Sequence, residues 1–157
     1  MGTERLPGMT ILIATFALGA AVGAALAQEP PAPGVTGIGG IFFKSADPTA
    51  TRAWYRDHLG IAGQGPAANF LWLERERPEV TGFTVWSLFA RDSDYFGAAD
   101  QEFMVNYRVR GLDALLAQLE TDGIPQVKPL EEYDYGRFAW VNDVDGHRIE
   151  LWEPVDE

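Results

Sequence analysis

The sequence predicts one α+β domain made of two tandem βαβββ modules. Landmarks recur 63 residues apart: His58-Leu59-Gly60-Ile61 closes one helical segment and Thr121-Asp122-Gly123-Ile124 closes another. The strand at 84–88, shifted by 63, falls on 147–151. Strand-like alternation and helix-like periodicity also follow each other in the same order in both halves. At 157 residues, the chain suits one ordinary domain and is short for two.

The elements follow in order. Residues 9–27 carry no charge, Arg5 precedes them, and Ala25-Leu26-Ala27 is a small-x-small signature before the polar, Pro-rich stretch 28–33. This pattern reads as an export signal spanning 1–27 and cleaved after Ala27, giving a periplasmic or extracellular protein. The alternative is an uncleaved anchor, since nineteen apolar residues sit at the lower limit of a membrane span. A linker at 28–34 leads into the domain at 35–157, with modules at about 35–97 and 98–157.

In the first module a strand is expected at 37–44. Asp47 is a good N-cap, Pro48 suits the first helical position, and Gly60 supplies a left-handed stop after Leu59. Two or three strands fit within 68–90. In the second module a strand at 102–109 precedes a helix whose Leu112, Leu115, Leu116 and Leu119 share one face. Strands at 137–141 and 147–153 flank a turn at 142–146, and Asp143-x-Asp145-Gly146 reads as that turn rather than as a calcium loop.

The net charge of −11 argues against nucleic acid and anionic lipid as partners and favours a cationic ligand. Loss of residues 1–27 leaves it unchanged, because Glu4 and Arg5 go together. The absence of cysteine removes disulfides, thiolate metal sites and cysteine nucleophiles. Nine Phe, five Trp and five Tyr provide bulk for a core or an aromatic pocket.

Three segments carry a family resemblance: GIGGIFFKSADPTATRAWYRDHLGI at 37–61, FMVNYRVRGLDALLAQLETDGI at 103–124 and GRFAWVNDVDGHRIELWEP at 136–154. Together they resemble the vicinal oxygen chelate superfamily, which includes glyoxalases, bleomycin-resistance proteins and extradiol dioxygenases. The resemblance implies modules paired edge to edge, sheets curled around a shared cavity, and a homodimer. Metal-dependent members hold one divalent ion with a ligand from each of four strands. Those positions correspond here to Gly40, Ser87, Met104 and Glu150, and only Glu150 is a competent ligand. No metal or other cofactor is therefore expected.

Alternation along the strands sorts the two sheet faces. Ile41, Trp86, Val105, Ile149 and Leu151 are assigned to the helix side. Phe42, Ser87, Asn106, Arg108, Glu150 and Trp152 are assigned to the cavity side as ligand-binding residues, with Glu150 the candidate catalytic group. Glu150 is open to two readings, a proton carrier or an ion-pair partner of Arg108 or Arg148. Tyr133, Tyr135 and Arg137 form either a lid or an ordinary surface loop. The expected function is metal-free binding of a small molecule. The alternatives are a lyase or isomerase using Glu150 and a metal-dependent glyoxalase or dioxygenase. N-terminal sequencing of the mature protein is expected to start at Gln28; a soluble protein still beginning at Met1 would contradict export.

Overall fold

The computed structural model describes residues 32–155 apart from 64, 66 and 76, so the segment expected to act as an export signal lies outside the described residues. The chain runs β1 (Gly34–Ser45), α1 (Pro48–Leu59), β2 (Ala67–Leu73), β3 (Thr81–Ala90), β4 (Phe103–Arg110), α2 (Leu112–Thr121), β5 (Lys128–Tyr133), β6 (Gly136–Asn142) and β7 (Arg148–Pro154). All seven strands form one sheet in the order β2-β3-β1-β4-β7-β6-β5. Its seam is the antiparallel β1–β4 pair, which joins the modules edge to edge. On either side, β1 runs parallel to β3 and β4 runs parallel to β7.

The internal repeat is visible in the register. Phe42 pairs with Ser87 in the first module and Asn106 with Glu150 in the second. Two strands follow α1, however, whereas three follow α2. The sheet therefore has seven strands and open edges at β2 and β5, and it does not close into a barrel.

The helix ends obey the capping signals. Asp47 Oδ1 accepts from the N–H groups of Thr49 and Ala50 at 3.0 and 2.9 Å, a cap that contributes about 1 kcal/mol. Gly60 stops α1 with φ at 67°. No side chain of its own segment caps α2; Glu153 of β7 reaches over instead and accepts from Leu112 N–H at 2.9 Å.

Helices cover one sheet face. Leu112 and Leu116 pack with Val109, Ala139, Val141 and Leu151, and Tyr55 and Ile61 pack with Ala68, Trp86 and Leu88. On the opposite face Phe42, Phe96, Met104 and Trp140 form a separate buried cluster. Burying both faces fixes the register, because a one-residue slip would exchange the two side-chain sets. Leu151→Ala is expected to cost about 2–5 kcal/mol in urea unfolding, through the void it leaves. Val144→Ala, at a fully exposed turn position, should stay within about 0.5 kcal/mol. Equal losses would contradict the packing of Leu151 against α2.

Candidate functional site

The concave face gathers its polar groups at the seam between the modules. Parallel pairing places Asn106 beside Glu150 and Arg108 beside Trp152. Antiparallel pairing sets Trp140 opposite Glu150, Phe138 opposite Trp152, and Phe42 opposite Met104. Ser87 lies beside Phe42 on β3, between β1 and the edge strand β2. All six residues assigned from strand alternation thus share this face.

Glu150 is 2% exposed and is held by three neutral donors. Asn106 Nδ2 donates to Oε1 at 2.5 Å, while Trp140 Nε1 at 2.8 Å and the Tyr95 hydroxyl both donate to Oε2. Among the described residues, neither Arg108 nor Arg148 pairs with it. Arg108 turns the other way and joins Glu74, whereas the Arg148 guanidinium lies against Gly97 with its Nε buried and unbonded. The nearby cation is Lys128, whose ammonium sits 4.0 Å from the centre of the Trp140 ring and pairs with Glu131 at 2.6 Å. Burial pushes the Glu150 carboxyl above the usual glutamate range, outweighing the downward pull of its three donors and of Lys128. Burial and the adjacent carboxylate likewise raise the Tyr95 hydroxyl, which therefore remains a donor.

Tyr95 and Phe96 belong to the 91–102 connection, where no periodic pattern marks them. Phe96 is fully buried against the concave cluster, and Phe89 stacks on Tyr95 with centroids 5.3 Å apart. The expected cavity is consequently filled around Glu150 by the chain's own rings. Tyr133 and Tyr135 stack on each other and meet Phe138 edge-on, so they extend the aromatic wall. Arg137 leaves that wall and binds Asp113, Glu132 and Glu153. Among the buried polar atoms without a hydrogen-bond partner among the described residues are two on the strand neighbours of Glu150: Asn106 Oδ1, an acceptor, and Trp152 Nε1, a donor.

The donor set does not fit a catalytic divalent ion. A side chain at position 40 would meet the Phe42 ring within 2.5 Å of its Cβ. Met104 is buried in the aromatic cluster, and both oxygens of Glu150 already accept hydrogen bonds. Among the described residues no three His, Asp or Glu side chains converge on a common point.

No protein-family model matches the sequence, and no curated protein matches it significantly. Solved structures do resemble it. Methylmalonyl-CoA epimerase from Mycobacterium tuberculosis aligns over 78% of this chain and 90% of its own, at 22% identity and a TM-score of 0.56. A Streptomyces coelicolor methylmalonyl-CoA epimerase variant, in complex with 2-nitronate-propionyl-CoA, aligns over 78% and 100% at 15% identity and a TM-score of 0.60. These likenesses show that the chain has the vicinal oxygen chelate fold.

The two buried acids of this face are expected to pull stability in opposite directions with pH. Burial also acts on Glu74, but the Arg77 hydrogen bond and the Arg108 charge outweigh it and lower its carboxyl. A raised group contributes stability below its unfolded value, near pH ~4.3, and loses it as pH rises through the folded value. A lowered group contributes above the unfolded value and loses it as pH falls through the folded one. Glu150→Gln should therefore gain stability relative to the wild type as pH rises from about 4 toward 7, while the deficit of Glu74→Gln is already complete above about pH 5 and shrinks as pH falls below about 4. Melting curves at three pH values check this, and parallel curves would refute it.

Proposed function

We propose that this domain binds a small organic molecule on the concave face around Glu150, without a metal ion and outside the cytoplasm. The observation that carries the reading is the set of unsatisfied polar atoms beside that buried carboxylate. Asn106 Oδ1 and Trp152 Nε1 lack partners in a packed interior, where each such atom costs about 1–3 kcal/mol. A ligand offering one donor and one acceptor would recover that cost.

The surrounding Trp140, Phe138 and Trp152 rings provide the apolar walls of a small-molecule site and faces for a cation. The acidic surface attracts cationic ligands. Because the Tyr95 hydroxyl already occupies one Glu150 oxygen, entry of a ligand exchanges that hydroxyl for a ligand donor and displaces the 91–102 segment.

A second reading, an isomerase or lyase, is favoured by the raised carboxyl of Glu150. A carboxyl shifted toward neutrality is a better proton carrier at neutral pH, and Asn106 is placed to steady an enolate oxygen. The epimerase activity named for the two structural neighbours is of this kind.

Tryptophan fluorescence separates the readings. A panel of small amines, quaternary ammonium compounds and acyl thioesters is titrated into the full chain, with elemental analysis of the same sample. Saturable quenching by one amine or ammonium compound, weakened about tenfold in Glu150→Gln, together with far less than one metal ion per chain, is the expected result. Deuterium exchange into the α-position of an acyl thioester, abolished by Glu150→Gln, would establish the second reading instead. Binding unaffected by Glu150→Gln would overturn both.

A further inference from the structure

The concave face carries a seat for a cation, and the chain's own Lys128 fills it. Lys128 opens β5 and pairs in register with Trp140 of β6. Its ammonium lies 4.0 Å from the centre of the Trp140 ring and 5.4 Å from that of Tyr95. The two rings meet at 86° with centroids 6.0 Å apart, so they form a corner rather than a flat stack. Glu131 closes the corner, with an oxygen 2.6 Å from the ammonium. A cation held there is attracted by the negative face of each ring and by the carboxylate.

Two features separate this corner from a plain structural clamp. The first is that its walls do not depend on the lysine. Trp140 and Tyr95 are fixed from behind by Glu150, to which both donate. Glu131 is held by the Tyr133 hydroxyl, which donates to its other oxygen at 2.8 Å. The seat therefore keeps its shape and its charge when Lys128 leaves. The second is access. The Lys128 side chain is 35% exposed on a flexible four-carbon stem, so its head can swing into water.

We propose that Lys128 is a tethered competitor: its ammonium occupies the seat that an ammonium-bearing ligand takes, and its displacement sets the affinity and selectivity of the concave face. This rests on the reading that a small organic molecule binds that face, and it names the group by which the molecule is recognised. A tethered group acts at a high effective concentration, so a free cation must outcompete it, and the apparent affinity falls with the fraction of molecules whose seat is vacant. Neutral and anionic molecules gain nothing by expelling Lys128. A quaternary ammonium ion does gain, because the exchange returns a strongly hydrated lysine head to water and sets a weakly hydrated ion against the rings.

Tetramethylammonium chloride is titrated into the full chain and into Lys128→Met, with sodium chloride holding the ionic strength constant, and the Trp140 Nε1–Hε1 NMR signal is followed. Methionine keeps most of the apolar stem and removes the charge. Lys128→Met should bind the ion about tenfold more tightly than the wild type, and Lys128→Arg should show no gain. In the wild type, saturation should move the Lys128 Hε signals from their ring-shifted position toward that of a free lysine. Binding by Lys128→Met that is absent, equal or weaker overturns the proposal, as do wild-type Lys128 signals unmoved at saturation. If some other compound then still binds and Glu150→Gln weakens it, the reading of the face survives alone. Conversely, tighter binding by Lys128→Met that Glu150→Gln leaves untouched keeps the seat and removes Glu150 from the site. If Lys128→Met fails to fold, Lys128→Gln and the wild-type Lys128 signals decide.

Discussion

Much of the concave half of the structure depends on the buried carboxylate of Glu150. Removing a carboxylate from water costs several kcal/mol unless its oxygens are satisfied. Here three donors from three different elements satisfy it: Asn106 of β4, Trp140 of β6 and Tyr95 of the 91–102 connection. Hydrogen bonds to a charged group contribute about 1.5–3 kcal/mol each, which offsets part of the burial and fastens the connection across the seam. Through Tyr95 the first module closes over the second, and Phe96 follows it into the interior.

Around that centre, the sheet floor is shaped by small residues so that large ones can lie flat. Gly39 leaves room for Asn106 and Trp152, and Gly40 for the ring of Phe42. A ligand-bearing side chain at position 40 would collide with that ring. At position 40, aromatic packing therefore leaves no room for such a side chain. The face is built from rings and one carboxylate, and that composition is what the proposal of an organic ligand draws on.

Local signals made most of the architecture legible in the sequence. Asp47, Pro48 and Gly60 bound α1 as their chemistry requires, and alternation sorted β4, β7 and the part of β1 from Gly40 onward, beyond its two register shifts, into two faces. β5 could not be placed, because KPLEEY mixes a proline with charges and has no clean alternation. The partners within the site were harder still. Tyr95 sits in a connection without periodicity, so nothing local shows that its hydroxyl returns to a strand 55 residues away. Glu74 follows an edge strand and carries no local sign of burial, yet it is the buried partner that takes Arg108 away from Glu150. Strand parity reveals which way a side chain points; long-range packing decides what it meets.

The measurement that bears most directly on this account is a carbon-13 NMR titration of the Glu150 carboxyl in the wild type and in Tyr95→Phe. Burial, which outweighs the downward pull of the donors, requires a midpoint above the ordinary glutamate value of about 4.3. Loss of the Tyr95 hydrogen bond, which favours the charged form, should raise it further. A midpoint at or below the ordinary value, unmoved by Tyr95→Phe, would mean that Glu150 is solvated or ion-paired and that the concave face is not organised around it.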